Sequence, residues 1–275
     1  MKHFIFKILD KFLKIILFLR YPNKFSTAFS ETLDLVYVVV GRGKTIKIAS
    51  PNRINFYRAE TFFTKEPDMI EWLETINQEK ILLDIGANIG LYSIYAGLAG
   101  IKKIIAIEPE SQNYGLLNKN IYENQLSDKI IALNIGFSDH NGIEDLYIPK
   151  FNPGAALNNL GENLDWKKEQ FNVDFRQSVL CYTLDSFLET YPDLFPTHIK
   201  IDVDGIERKI IDGAKNTLKD KRLKEIIIEL NQNLKEDMEI VDILVESGFV
   251  EKSKRNSPTA NSAYDVLYNH LFIRV

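Results

Sequence analysis

Apolar and polar positions follow two different rhythms along residues 81–254. Short apolar runs end near residues 84, 107, 135, 203 and 230, and stretches with helical spacing begin near residues 89, 111, 206 and 237. Strands that alternate with helices predict a parallel sheet with helices on both faces. Two more β-rich segments, residues 250–254 and 263–275, close the chain. The pattern indicates a doubly wound α/β domain over residues 79–275.

A smaller region precedes this domain. Residues 33–40 and 45–48 are rich in β-forming residues and flank Gly41-Arg42-Gly43, which predicts a hairpin. Residues 62–76 then have helical spacing, with Pro67 near the start, where proline is tolerated. We therefore expect a small β/α cap over residues 25–78.

Residues 1–24 have the pattern of an amphipathic helix. Lys7, Lys11 and Lys14 share one face, and large apolar residues cover much of the rest. The longest uncharged run at its centre, residues 15–19, is too short to span a bilayer, and no signal-peptide cleavage site follows. The helix could lie on an anionic membrane surface through residues 1–20, or pack on the domain or a partner subunit. We expect a cytoplasmic protein, peripheral at the membrane in the first case, and leave the oligomeric state open.

Residues 151–178 interrupt the alternation of strands and helices. Polar side chains such as Asn158 and Asn163 are interleaved there with Trp166, Phe171 and Phe175. Aromatic rings can stack on the C–H faces of a sugar while polar groups bind its hydroxyls. We expect this insertion to act as a lid over an acceptor, and a surface loop pinned by its aromatic residues is the alternative.

A glycine-containing loop follows the first strand of the main domain. The apolar run ends at Asp84, and Gly86, Asn88 and Gly90 follow before the helical pattern starts. Glycine lets a backbone pass close to a ligand that a Cβ would block. Glu108 ends the next apolar run about 20 residues on, where a carboxylate can accept both hydroxyls of a ribose. This spacing predicts a nucleotide-binding unit of Rossmann-like fold, and a tight turn that binds nothing is the alternative.

Asp84 and Asn88 help to decide which kind of nucleotide the loop binds. A dinucleotide fingerprint has glycine at the place of Asn88, because a pyrophosphate must approach the backbone there. The charge of Asp84 would repel phosphates and attract a cation. S-adenosylmethionine has ribose hydroxyls, a sulfonium and an α-ammonium group, and it has no phosphate. We therefore predict S-adenosylmethionine, rather than NAD, as the cofactor.

Composition excludes several classes of protein. A chain of 275 residues with 45% hydrophobic and 26% charged residues can build one large core. The net charge of −4 gives no general electrostatic case for binding nucleic acid. Cys181 is the single cysteine, which excludes an internal disulfide and a cysteine-based zinc site.

A second dense motif is Lys200-Ile201-Asp202-Val203-Asp204-Gly205, and Thr183-Leu184-Asp185-Ser186-Phe187 lies upstream of it. Together with the loop from Asp84 to Gly90, these motifs resemble the FkbM family of S-adenosylmethionine-dependent methyltransferases over residues 64–230. The resemblance implies a class I methyltransferase fold, with seven strands of which the last is antiparallel. It also implies transfer to hydroxyls of sugars, polyketides and related metabolites. Asp204 departs from the family, which usually has glutamate there.

The carboxyl ends of parallel strands meet at one edge of a sheet, so side chains that follow separate strands should converge. Backbone amides near Gly86 and Asn88 would hold the amino-acid part of the cofactor, with Asp84 near its cationic end. Asp139 could accept from the adenine amino group. The predicted cofactor-binding residues are Asp84, Gly86, Asn88, Gly90, Glu108, Ser138 and Asp139.

Methyl transfer to a hydroxyl needs alignment and a proton acceptor. Asp202 is our first candidate for the base or the group that orients the acceptor. Lys200 lies two residues before Asp202 and on the same face of the strand. It is a second catalytic candidate, and a salt-bridge partner of Asp202 is the alternative. Asp202, Glu229 and Asn231 offer oxygen ligands of the kind that Mg²⁺ or Ca²⁺ prefers. Nothing in their spacing demands a metal, and none is expected.

The sequence thus predicts an O-methyltransferase that acts on a hydroxyl of a sugar or glycan-like acceptor. Arg58 and Lys65 in the cap could face an acidic acceptor, and scattered surface charges are the alternative. An NAD(P)-dependent oxidoreductase is one rival function, opposed by Asn88 and by the lack of a clear Tyr-x-x-x-Lys pair. A catalytically inactive scaffold at a membrane surface is the other. The intact loop together with Glu108 speaks against that scaffold.

Overall fold

The computed structural model describes residues 33, 35–256 and 265–275. The chain divides into two compact units, residues 1–36 and 37–275, and only the end of the first belongs to the described part. The amphipathic helix predicted for residues 1–24 therefore lies outside the described residues. Apart from Val36, the helices and strands of the described part all belong to the second unit.

The predicted cap begins with a two-stranded sheet. Strands β1 (Val36–Gly41) and β2 (Lys44–Ala49) pair as the hairpin that the sequence indicates. Helices α1 (Arg53–Glu60), α2 (Phe62–Lys65) and α3 (Pro67–Thr75) follow. The helix predicted for residues 62–76 is thus broken at Glu66, directly before Pro67, because proline disfavours a helical conformation in the preceding residue.

A seven-stranded sheet forms the centre of the described part of the chain. Its strands are β3 (Ile81–Ile85), β4 (Lys103–Ile107), β5 (Ile130–Leu133), β10 (His198–Ile201), β11 (Glu225–Asn231), β12 (Phe249–Asn256) and β13 (Leu267–Arg274). Their spatial order is β12-β13-β11-β10-β3-β4-β5. The five strands from β11 to β5 are parallel, and β13 runs antiparallel to both of its neighbours. This confirms the predicted class I methyltransferase architecture with an antiparallel last strand.

Successive residues of the central strands pack into two separate hydrophobic cores. Leu82 and Ile104 belong to one core, and Leu83 and Ile105 belong to the other. Because both faces are buried, the strands have continuous apolar runs instead of alternating ones. The first core packs against α3, α4 (Leu91–Ala99) and α5 (Ser111–Glu123), and the second packs against α6 (Leu184–Thr190), α7 (Glu207–Asp212) and α8 (Lys235–Glu246).

A second sheet covers part of the region that the sequence leaves as an insertion. Strand β6 (Gly136–Phe137) pairs with β9 (Phe175–Tyr182), which pairs with β7 (Gly142–Ile148), and β8 (Asn159–Leu160) lies at the far edge. Residues 151–178 therefore contain β8 and the start of β9 but no helix, so they interrupt the alternation of strands and helices, and their role as an acceptor lid stays a prediction. Gly142 pairs with Cys181, so these strands depend on partners about 40 residues away.

The helix predicted for residues 206–218 is shorter than expected. It ends at Asp212, and a 3₁₀ turn at Thr217–Lys219 follows. A Cβ on Gly213 would lie 2.2 Å from the carbonyl oxygen of Ser138, so this is a point of close backbone approach.

No helix among the described residues is long and apolar enough to cross a bilayer.

Candidate active site

The loop after β3 touches the end of β10. Gly86 has a φ of +80°, and a Cβ built on it would lie 1.9 Å from the carbonyl oxygen of Asp202. The Asp202 amide donates to the carbonyl oxygen of Ile85 at 3.1 Å. Asn88 also has a positive φ, +51°, which asparagine tolerates better than most residues. Gly90 (φ +83°) lies against Leu117, which allows α4 to start close to α5. The two glycines therefore let the strand ends and helices meet at this edge.

Glu108 follows β4 and is 5% exposed. Its Oε2 accepts from the Asn88 amide at 2.8 Å, and its Oε1 accepts from the Glu110 amide at 3.0 Å. Burial raises the pKa of Glu108 to about 7, although those amide donors favour the charged form. Glu108 thus fits the predicted role of a ribose-binding carboxylate.

Glu108 faces a cavity of about 560 Å³ at the carboxyl end of the sheet. Polar groups line one side, and apolar side chains from β6, β7, β8 and α7 line the other. The lining includes Gly86, Asn88, Glu108, Asn113, Phe137, Leu146, Ala156, Asn158, Leu160, Asp202 and Ile206.

Lys200 lies beneath the loop, and its side chain is 1% exposed. Its Nζ is 3.2 Å from Asp84 Oδ1 and 3.3 Å from Asp202 Oδ2. Burial disfavours the charged ammonium form of Lys200. The negative charges of Asp84 and Asp202 outweigh this effect and hold the pKa of Lys200 above its ordinary value. Burial likewise acts to raise the pKa of Asp202, and the charges of Lys200 and Lys65 lower it overall. The three side chains form one charge cluster, which matches the salt-bridge interpretation of Lys200, and its catalytic role stays a prediction.

Asp84 lies in the interior next to Lys200. It is fully buried, and it accepts from Ser93 Oγ at 2.6 Å as well as pairing with Lys200. Register explains the pairing, because Asp84 and Lys200 are neighbours on adjacent parallel strands. Asp84 is therefore engaged by Ser93 and Lys200, and its place near the cationic end of a cofactor stays a prediction.

Two further openings adjoin the same loop. One, of about 510 Å³, lies between the cap and α4 and is lined by Arg58, Lys65, Glu66, Tyr92 and Lys200. Glu66 is 4% exposed and accepts from Tyr92 Oη at 2.7 Å and from Lys65 Nζ at 2.8 Å. The other is an open cleft of about 1670 Å³, lined by residues that include Ile54, Tyr57, Arg58, Lys150, Leu157, Asp202, Asp204, Glu229 and Leu267. Gly86, Asn88 and Asp202 line all three spaces.

Residues 153–157, here called the strap, cross the site and are held by side chains from several elements. Asn113 accepts from the Gly154 amide at 2.7 Å and donates to the Ala155 carbonyl at 3.1 Å. Asn88 also donates to the Ala155 carbonyl, at 3.0 Å. Arg58 Nε donates to the Gly154 carbonyl at 2.8 Å, and Asp204 accepts from the Leu157 amide at 2.7 Å. The strap thus links the cap, the loop, α5 and the end of β10.

Ser138 and Asp139 directly follow the two residues of β6 that line the cavity, and cofactor binding by them stays a prediction. The chain after β5 turns into β6, and Gly136 and Phe137 line the cavity there. Ser138 is fully buried, and its amide donates to the Tyr182 carbonyl. Asp139 is half-exposed and pairs with His140 at 2.8 Å. Ser138 thus bonds to the second sheet, and Asp139 bonds to its neighbour His140.

The candidate metal ligands do not form one group. Asn231 is buried, its Nδ2 donates to the Trp166 carbonyl at 3.1 Å, and its Oδ1 accepts from the Asn233 amide at 3.0 Å. Among the described residues, no three histidine, cysteine, aspartate or glutamate side chains are placed to hold a metal ion. Glu229 does line the cleft beside Asp202.

The sequence did not indicate Asn113, Phe137 or the cap residue Glu66 as part of the site. Asn113 sits one turn into α5, where nothing in the local pattern distinguishes it from a surface asparagine. Arg58 and Lys65, the cap residues that could face an acidic acceptor, both line the cleft. The three-dimensional arrangement alone brings these residues to the loop.

The seven-stranded sheet with its antiparallel last strand, and the buried glutamate beside the glycine loop, define a class I S-adenosylmethionine-dependent methyltransferase. The Methyltransferase FkbM domain matches residues 84–251, so the chain belongs to the FkbM methyltransferase family. Methyltransferase sdnD of Sordaria araneosa is 27% identical over 197 residues, which are 62% of this chain and 76% of that protein.

Two solved structures are also similar. Methyltransferase FkbM from Methylobacillus flagellatus KT is 15% identical with a TM-score of 0.49, and the match covers 78% of this chain. This chain spans 52% of the length of that protein, about half. TYW2 of M. jannaschii in complex with AdoMet is 12% identical with a TM-score of 0.44, and the match covers 88% of each chain.

Proposed function

We propose that this protein transfers the methyl group of S-adenosylmethionine to a hydroxyl of a sugar, a glycan or a related metabolite. The observation that carries this proposal is the open cleft next to the loop. Four acidic residues line it, and Asp202, Asp204 and Glu229 come from the ends of the central strands β10 and β11, whereas Glu66 comes from the cap. Carboxylates accept hydrogen bonds and donate none, so they suit an acceptor that presents several hydroxyl groups.

The residues of the adjoining cavities fit the cofactor. Glu108 would accept from the ribose hydroxyls, and the apolar wall of Phe137, Leu146 and Leu160 suits an adenine ring. Gly86 leaves no room for a Cβ where the cofactor's central part would pass. Arg58 and Lys65 complement a carboxylate at the other end, and Glu66 complements an ammonium group. When bound, S-adenosylmethionine supplies a methyl group activated by a sulfonium.

The cleft also has apolar surface that can contact a carbohydrate ring. Tyr57 is 60% exposed there, and Ile54 and Leu267 lie on the same lining. Aromatic and aliphatic side chains can cover the C–H faces of a sugar while the carboxyl groups bind its hydroxyls. Asp202, held in place by Lys200, would orient the acceptor hydroxyl in line with the methyl group.

Calorimetric titration with S-adenosylhomocysteine, with NAD as a parallel ligand, tests the cofactor. We expect micromolar binding of S-adenosylhomocysteine and no binding of NAD. Turnover is then measured as S-adenosylhomocysteine release in the presence of a panel of monosaccharides, oligosaccharides and other polyhydroxylated compounds. Tight binding of NAD alone would contradict the proposal, and methylation restricted to amine acceptors would contradict its hydroxyl specificity.

A variant separates binding from transfer. Asp202→Asn should keep the affinity for S-adenosylhomocysteine and slow methyl transfer, because the amide cannot supply the same charge at the reacting centre. Asp242→Asn, on the exposed face of α8, is the matched control and should change neither. Normal turnover of Asp202→Asn would remove Asp202 from the reaction.

A further inference from the structure

Glu229 occupies a distinctive position at the edge of the central sheet. Ile228 pairs with Ile201 across the parallel strands β11 and β10, so Glu229 and Asp202 are the next residues in register. Neighbouring strands lie about 4.8 Å apart, which puts the two side chains side by side on one face. Both line the open cleft.

The carboxyl of Glu229 differs from the others at the site, because none of the described residues bonds to it. Asp202 pairs with Lys200, Asp204 accepts from the Leu157 amide, and Glu66 is bonded to Tyr92 and Lys65. Within the part of the chain that the structure describes, no hydrogen bond or ion pair engages the Glu229 carboxyl. A partly buried acid that faces a cleft, and whose carboxyl is not engaged by any residue of the described ranges, is available to a ligand.

Asp202 and Glu229 also differ in basicity. Lys200 and Lys65 oppose the effect of burial and hold the pKa of Asp202 below its ordinary value, which makes its carboxylate a weak base. Burial raises the pKa of Glu229 well above its ordinary value, and the neighbouring charges of Asp202, Glu66 and Asp204 add to this. A general base is most effective when its pKa lies near the working pH.

We infer that Glu229, and not Asp202, is the general base that takes the proton of the acceptor hydroxyl. The inference rests on the proposed function. In the transfer step the hydroxyl oxygen forms a bond to the methyl carbon, and the bond from that carbon to sulfur breaks. The electron pair of the broken bond stays on sulfur, so the sulfonium becomes a thioether. The hydroxyl proton passes to the Glu229 carboxylate, and solvent receives it after product leaves.

The charges around Glu229 give this inference a test that needs no acceptor. Arg58 of α1, Lys65 of α2 and Glu66 face the cleft from the cap, and Asp202 and Asp204 face it from the end of β10. On β13, the neighbour of Glu229 in register is the uncharged Asn269. A sulfonium placed beside these groups would favour the carboxylate form of Glu229, because an opposite charge nearby lowers the pKa of an acid.

Binding of S-adenosylmethionine should therefore expel a proton from Glu229, and binding of S-adenosylhomocysteine, which lacks the sulfonium charge, should not. The experiment is calorimetric titration of the full chain with each compound near neutral pH, in two buffers of different ionisation enthalpy. We expect S-adenosylmethionine to release roughly half a proton or more beyond the release seen with S-adenosylhomocysteine.

Glu229→Gln keeps the shape of the side chain and should abolish this excess while still binding both compounds. Glu246→Gln, which changes an exposed carboxyl on α8, is the control and should keep the excess. The thermal unfolding midpoint of each variant checks that it is folded. If Glu229→Gln does not fold, Glu229→Asp serves in its place, and its excess should be smaller than that of the unchanged protein.

The outcomes separate the inference from the function on which it rests. If the unchanged protein binds neither compound, the proposed function and this inference both fail. If it binds S-adenosylmethionine without the proton excess, or if Glu229→Gln keeps that excess, the inference alone fails. Once an acceptor is found, Glu229→Gln should lower kcat about 100-fold or more, with KM for S-adenosylmethionine nearly unchanged. The rising limb of the pH profile of kcat should disappear in that variant.

Discussion

At the scale of single residues, Gly86 sets how closely the cofactor loop approaches β10. Its positive φ and the short distance from a built Cβ to the Asp202 carbonyl are independent reasons for glycine at this position. The contact is to backbone, which cannot rotate away as a long side chain can. Any side chain here would push the loop off the end of the strand that carries Asp202.

We predict that Gly86→Ala lowers the free energy of unfolding by about 3 kcal/mol, the sum of a left-handed backbone penalty and an overpacking penalty. Gly43→Ala is the matched control, because Gly43 also has a positive φ, +73°, but no atom lies within 4 Å of its built Cβ. Gly43→Ala should lower the free energy of unfolding only by the left-handed backbone penalty, about 1–2 kcal/mol. Urea unfolding followed by circular dichroism measures both, and equal losses would contradict the role of the Asp202 contact.

Glu108 is a second single residue whose proposed role, binding the ribose hydroxyls, can be tested by substitution. We predict that Glu108→Ala weakens S-adenosylhomocysteine binding by about 1.5–3 kcal/mol, the range for lost hydrogen bonds to a charged group. Calorimetry measures the affinity, and Glu189→Ala on the exposed end of α6 is the control. Unchanged affinity in Glu108→Ala would refute the ribose assignment.

The strap shows what is decided at the scale of whole elements. Its backbone groups bond to side chains of α1, the loop, α5 and the segment after β10, and not to a neighbouring strand. Asn113 supplies two of these bonds and is 1% exposed. Removing it would leave a buried donor and a buried acceptor without that partner.

We predict that Asn113→Ala destabilises the protein by about 1–3 kcal/mol and speeds amide hydrogen exchange in residues 153–157. Asn118→Ala, on the exposed face of the same helix, should change stability by no more than about 0.5 kcal/mol. Hydrogen exchange followed by mass spectrometry locates the effect. Exchange that speeds up equally along all of α5 would instead indicate damage to the helix.

At the scale of the whole molecule, several buried carboxyl groups tie stability to pH. Burial raises the pKa of Glu108 to about 7 and that of Glu207 to about 8, with Asp237 adding to the latter. Both groups hold protons in the folded state that they would release on unfolding. Stability therefore falls as pH rises through their folded-state values.

We predict that the free energy of unfolding falls between about pH 6.5 and about pH 8.5, measured by urea unfolding at several pH values. His198, whose pKa burial lowers to about 4, acts in the opposite direction, but its effect is already half lost at about pH 6.5, the ordinary histidine value, and the two carboxyl groups outweigh it above that pH. Glu207→Gln should flatten the decline, and Glu246→Gln should not. A rise in stability over this range would contradict the assignment of buried protons.

Much of the architecture follows from local pattern, because burial on both faces of a parallel strand demands an apolar run and amphipathic spacing demands a helix. The strands that end at Asp84, Glu108 and Asp202, and the helices between them, are therefore predictable from sequence alone. The second sheet is not, because β7 has mixed polarity and depends on a partner about 40 residues away.

The sequence by itself determined the fold class, the family and the cofactor loop with its acidic partner, since these depend on spacing within short segments. Only the tertiary structure decided which charges meet. Strand register pairs Lys200 with Asp84 and sets Glu229 beside Asp202, and the cap brings Arg58 and Glu66 to the same edge. The spacing of apolar residues along the chain indicates which residues are buried. The protonation state and role of a buried acid depend instead on neighbours that are distant in sequence.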